Sequence, residues 1–264
     1  MSKQTGLIRL DGKIGGISFY KLDGEDLARI ANGPSKDKIL KDPAFVRTRE
    51  NNSEFGGSAT VAKAFRLSLA NVILTMADFR LTSRLTKLFK EINLSGTGTR
   101  GQRPILITSH QVLLINFELN QRHSFGSVFN APFTHSNTAN RDQGDITVAA
   151  FVPDNFIEAP AGATHFRLIQ ALGVVSDYAF DPATNKYEPL DATTNMLGAV
   201  TYSPTLALGS TPVSATLTSA LPGSPTMTGD VSVMQCMGIE FFQRVGTTDY
   251  LLAQGNAMKV IHVF

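Results

Sequence analysis

VSVMQCMGIEFFQRV (Val231–Val245), followed by Gly246, Thr247, Thr248 and Asp249 and then by the run from Tyr250 to Phe264, is the stretch that decides the fold class. Two apolar or alternating runs meet at a turn-forming tetrad, and this predicts a long antiparallel hairpin. Further runs of the same kind occupy residues 105–108, 112–120, 145–152, 165–175, 200–208 and 213–221, punctuated by Pro, Gly, Asn and Asp. That spacing predicts a mainly antiparallel β-sandwich over residues 105–264. The chain closes on Val260, Ile261, His262, Val263 and Phe264. Such a strand is expected to be buried in its own subunit or in the next, which makes Val260 and Phe264 candidate subunit contacts.

Toward the N-terminus the character changes. Residues 14–21 and 26–31 flank Leu22-Asp23-Gly24-Glu25, and Asp-Gly between two strand-like runs predicts a β-hairpin over residues 7–31, since Gly accepts the positive φ of a tight turn. Gly33-Pro34 stops it. Residues 35–52 are polar and read as an extended arm lying along a neighbour. Its Lys36, Lys38, Lys41, Phe45, Arg47 and Arg49 are the remaining candidate subunit contacts. A helical period runs from Ser53, with Phe55, Ala59, Ala62, Phe65, Leu69, Ile73 and Met76 on one stripe. A second helix places Leu81, Leu85, Leu88, Phe89 and Ile92 inward and Arg84, Lys87 and Lys90 outward. Residues 94–104 are rich in Gly, Ser and Thr and end in Pro, a linker composition. The predicted class is therefore α+β: a basic region of hairpin, arm and two helices over residues 1–95, a linker at 96–104, and a sandwich over 105–264.

Composition bounds the function. The 264 residues are 42% hydrophobic and 17% charged, a globular balance. No run approaches the roughly 18 apolar residues of a membrane helix, so no membrane partner is predicted. The net charge of +2 divides unevenly: residues 1–104 hold 18 Lys+Arg and 10 Asp+Glu, net +8, and the rest hold 6 and 12, net −6. This opposition suits attraction between the basic end of one subunit and the acidic part of the next. Residues 202–228 carry no charge at all, which suits either pairing with another chain or folding inside the sandwich.

Motifs for chemistry are missing. Gly96-Thr97-Gly98-Thr99-Arg100-Gly101 spells G-x-G-x-x-G, but a helix precedes it and a strand follows, the reverse of a dinucleotide site. His110, His123, His135, His165 and His262 show no metal-ligand spacing. Asp142, Asp145, Asp177 and Asp181 read as turn residues. The single Cys236 sits in an apolar stretch and reads as a small buried hydrophobe. The basic residues of the arm lack interleaved aromatics, so nucleic acid is not favoured. No catalytic residue, metal, cofactor or small-molecule substrate is predicted, and the chain reads as a non-enzyme.

Gly12-Lys13-Ile14-Gly15-Gly16-Ile17-Ser18-Phe19-Tyr20-Lys21, with Arg29, the segment Arg47-Thr48-Arg49-Glu50-Asn51-Asn52 and a helix containing Phe55 and Ala64, resembles an uncharacterised family of bacterial proteins common in Bacteroidota. The resemblance covers residues 7–95 and implies no catalytic residues. Together these readings predict a structural, self-assembling subunit of a tube, fibre or phage-like particle, a homo-oligomer made in the cytoplasm without a signal peptide and released, if at all, as an assembled particle. The competing expectation is a non-catalytic module with an immunoglobulin-like sandwich that binds a glycan or protein.

Overall fold

The structure is a computed structural model and describes residues 2–30 and 33–264. Ala31, where the predicted hairpin ends, lies outside the described residues. The chain divides into two compact units, residues 1–49 and 50–264.

The first unit holds β1 (Ser2–Lys3), β2 (Gly12–Ile14), β3 (Ile17–Leu22), β4 (Glu25–Ile30) and the short helix α1 (Lys36–Lys41). Its strands form one antiparallel sheet in the order β1-β4-β3-β2. Two tight turns build it, Gly15-Gly16 with φ of 53° and 84° and Asp23-Gly24 with φ of 54° and 83°. Positive φ at both central residues is what a two-residue hairpin turn demands. The expected arm at 35–52 is not extended. The Ser35 side chain caps α1 by accepting from Lys38 N, Asp42 caps a single 3-10 turn that starts at Pro43, and α2 (Val46–Ser68) begins at once. Short polar residues before each turn satisfy its free N–H groups, so a polar segment folds as helix.

The second unit contains the rest of α2, then α3 (Ala70–Met76), α4 (Leu81–Ser95), α5 (Phe125–Val128), β5 (Phe133–Asn137), β6 (Gln143–Phe151), α6 (Pro153–Phe156), β7 (His165–Ser176), β8 (Tyr178–Asp181), β9 (Lys186–Pro189), β10 (Gly198–Tyr202), β11 (Leu206–Ala207), β12 (Val213–Ala220), β13 (Val231–Val245), β14 (Thr248–Leu251) and β15 (Ala257–Val263). β10, β7, β13 and β14 pair in that order, with β15 also on β13 and β11 on β7, and β12-β6-β5 form a smaller sheet. The two sheets pack face to face around Ile146, Val148, Phe166, Leu168, Met237, Ile239 and Phe241. The class is α+β with a sandwich-like arrangement of mostly antiparallel sheets, and the predicted terminal hairpin forms as β13-β14.

The sandwich is only part of the architecture. The helices pack on the other side of the large sheet, where Val61, Phe65, Leu85, Phe89 and Ile92 share one core with Ala171, Met234, Cys236, Met258 and Val260. Residues 96–104 are consequently not a boundary between domains. Glu54, 1% exposed, accepts from Arg103 Nε and Nη2 at 2.7 Å each, from the Gly101 N–H at 2.8 Å and from Lys90 Nζ at 2.5 Å. Tyr187 donates to the Arg103 carbonyl and lays its ring against Gly57, where a Cβ would sit 2.5 Å from it. The flexible composition is pinned on three sides.

The same network displaces only the first position of the predicted stripe, whose Ala62, Phe65, Leu69 and Met76 are buried as expected. Phe55 is 52% exposed, and the inward positions are Glu54, Gly57, Ser58, Val61, Ala62 and Phe65. A buried carboxylate takes an inward place that a hydrophobic count assigns elsewhere. On α4 Lys87 faces out as expected, whereas Arg84 turns in to the Glu118 and Leu119 carbonyls and Asp78. No single helix among the described residues is long and apolar enough to cross a membrane.

Two outcomes check this account. A Cβ on Gly198 would lie 1.9 Å from the Ser68 carbonyl oxygen, so Gly198→Ala is expected to cost about 3 kcal/mol or more by forcing α2 and β10 apart; an unchanged denaturation midpoint would refute the close approach. Burial pushes the Glu54 carboxyl up, but the hydrogen bonds from Arg103, Lys90 and Gly101 outweigh it and bring it from 4.5 to about 2. Its stabilisation is present above pH 4.5 and lost as pH falls through about 2. Between those values the chain is expected to lose about 3 kcal/mol more than Glu54→Gln does, measured by urea titration.

Candidate subunit interface

The N-terminal sheet has two unlike faces, because alternate residues of a strand point to opposite sides. Register places Ile14 opposite Ile17 and Ile17 opposite Ile30, so three isoleucines form one row across three strands. They are 57%, 41% and 74% exposed. The next row on that face is Gly12, Phe19, Ala28 and Ser2, and the one beyond is Lys21 opposite Asp26. The other face carries Lys13, Ser18 and Arg29 in one row and Lys3, Leu27 and Tyr20 in another. There Lys3 pairs with Glu25 at 2.5 Å, and the Arg29 guanidinium lies 5.4 Å from the Tyr20 ring centre.

Among the described residues of the first unit, Leu27 is the one buried hydrophobic side chain. Leu7, Ile8, Leu10, Leu22 and Leu40 join the isoleucines in being exposed. Scattered exposed apolar residues are ordinary, and a contiguous exposed row on one face of a small sheet is not.

The residues proposed from sequence divide into two groups. Lys36, Lys38, Lys41, Phe45, Arg47 and Arg49 come together on α1, the 3-10 turn and the start of α2. Lys36, Lys38, Lys41 and Arg47 are exposed and Phe45 is half-buried. Arg49 reaches back to the Ile39 and Asp42 carbonyls at 2.8 and 3.0 Å, closing the end of α1. Arg49 therefore holds its own segment together. Val260 and Phe264 do not join this group. Val260 is fully buried in the helix-facing core, and Phe264 packs on the Leu172–Val233 cluster while its backbone pairs with Val233 in both directions. Their burial comes from their own chain, which removes Val260 as a surface contact.

The isoleucine row was not assigned from sequence, although the signal was present. Ile14-Gly15-Gly16-Ile17 is a second two-residue turn signal, and reading it as one puts Ile14, Ile17 and Ile30 in register.

Other candidate features have structural roles. The G-x-G-x-x-G match forms the loop that Glu54 holds. The His135 and His262 rings lie 4.7 Å apart and tilted by 37°, and burial, with the neighbouring His135 imidazole, pushes His262 below its usual value. Asp177, raised by burial, accepts from Thr108 N–H and Oγ1. Among the described residues no three His, Cys, Asp or Glu side chains come together as a metal site requires. An open cleft of about 370 Å³ lies against Arg84, Lys87, Phe117 and Glu118, but Arg84 is engaged by backbone carbonyls and Asp78, and Glu118 accepts from the Phe125 N–H.

Comparison with protein-family models, curated proteins and solved structures found no match to this chain.

Cys236 is fully buried, and burial pushes its thiol up to about 12. A thiol-reactive dye is expected to label none of the native protein and one site per chain after unfolding; rapid native labelling would contradict the packing of β13.

Proposed function

We propose that this chain is a structural, self-associating subunit and that residues 1–49 are its assembling element. One observation carries the reading: a four-stranded sheet with its isoleucine row in solvent and a single buried hydrophobic residue among those described. Small sheets need an apolar face covered to be stable. Full burial of an isoleucine contributes roughly 1.5–3 kcal/mol. Scaled by exposures of 57%, 41% and 74%, covering Ile14, Ile17 and Ile30 would contribute about 3–5 kcal/mol per chain.

Residues 1–49 hold 10 Lys+Arg and 6 Asp+Glu, net +4, and residues 50–264 hold 14 and 16, net −2; at ordinary salt such charges are largely screened, so apolar burial and not charge carries the association. The second unit holds all three apolar clusters and has the means to fold by itself.

The test is light scattering coupled to gel filtration across a concentration series. The full chain is expected to exceed its single-chain mass of 28.5 kDa increasingly with concentration, and residues 46–264, which keep α2 whole, are expected to stay folded at single-chain mass. A full chain that remains single up to its solubility limit would end the assembly reading and leave the binding module as the better account.

A further inference from the structure

We infer that the isoleucine face of the N-terminal sheet packs, related by a two-fold axis, on the same face of a second copy of this chain. The inference rests on the assembly reading above and names the contact that would carry it.

Three features select this face and this occupant. First, Ile14, Ile17 and Ile30 form a continuous exposed row with Phe19 and Ala28 beside it, whereas Leu22 is the one exposed large apolar residue of β1–β4 on the opposite side. Second, charge separates the two faces. The opposite side presents Lys3, Lys13 and Arg29 against Glu25 alone, and two copies brought together there would set like charges against each other. The isoleucine face holds its charges one row beyond the apolar patch, where Lys21 lies opposite Asp26 and Arg9 sits 3.5 Å from the same carboxylate. A two-fold contact repeats one patch against itself, so it suits an apolar surface and penalises a charged one.

Third, size sets the strength. Four strands about 4.8 Å apart, of which β3 and β4 have six residues and β2 and β1 only three and two, give a face of at most roughly 20 by 19 Å at about 3.4 Å per residue. That lies below the roughly 800 Å² per partner of a standard stable interface. The contact is therefore expected to dissociate on dilution.

Cross-linking tests the geometry directly. Packed sheets sit about 10 Å apart, beyond the roughly 7 Å between Cα atoms that a disulfide spans, so a short bis-maleimide is the suitable reagent. Cys236 is fully buried and does not compete. Ile17→Cys is expected to give a cross-linked product of twice the chain mass that fades on dilution, and Ser18→Cys, on the other face, is expected to give none. Ile17→Lys should weaken association at least tenfold with an unchanged circular dichroism spectrum.

If Ile17→Cys is not linked, or Ser18→Cys is linked in its place, the face assignment is overturned while concentration-dependent mass of the unaltered chain preserves the assembly reading. A single-chain mass for the unaltered protein at every concentration overturns both. Should Ile17→Lys lose structure, the paired cysteine variants decide.

Discussion

The twelve-residue ladder between β7 and β13, from Val231 opposite Ser176 to Phe242 opposite His165, is the constraint on which the larger unit depends. Every residue of β13 from Val231 to Phe242 is buried. A ladder in that position cannot leave either face to water, so each side must be covered by something apolar. The small sheet covers one side and α2, α3 and α4 cover the other. The outer edge of β15 is closed as well, because Asn116 and Leu119 donate to the Val260 and Met258 carbonyls and Val260 donates to Phe117. Exposed strand edges invite unwanted pairing, and this edge is closed from within the chain.

Close packing on the helical side makes small residues and buried charges necessary there. Gly198 admits the end of α2, and Gly57 admits the Tyr187 ring. Glu54 would be costly to bury alone, and Arg103, Lys90 and the Gly101 amide compensate it together. The carboxylate fixes a loop whose composition would otherwise leave it loose. The N-terminal sheet stands in contrast: regular turns and strand pairing give it secondary structure, but its row of Ile14, Ile17 and Ile30 is exposed. That contrast within one chain gives the assembly proposal its physical basis.

Much of this was legible. The hairpin at Asp23-Gly24, the strands at 145–152, 165–175 and 213–221, and the full extent of Val231–Val245 follow from alternation, apolar run length and turn residues. β12 alternates buried Ala215, Leu217 and Ser219 with exposed Thr216 and Thr218, so this part of the uncharged 202–228 stretch folds onto the sandwich as an edge strand of the smaller sheet. The 35–52 segment differs from the expected extended arm because Ser35 and Asp42-Pro43 are capping signals for helix, and these local hydrogen bonds outweigh its low hydrophobicity. β5 is not legible because Phe133–Asn137 is polar after its first residue, and β8 and β9 are not because four residues each are too few to show a period.

By itself the sequence determined the α+β class, the terminal hairpin and the tight turns, since these depend on local backbone preference and on period. The tertiary structure alone decided that the helices are a third layer of the same domain, that Glu54 is an inward residue, and that Val260 is buried by its own chain. Those outcomes depend on partners distant in sequence, such as Arg103 for Glu54 and Cys236 for Val260. A side chain's own chemistry does not name the partner that will meet it. The row of Ile14, Ile17 and Ile30 belongs to both kinds: each residue is plain in the sequence, and only strand register makes them one surface.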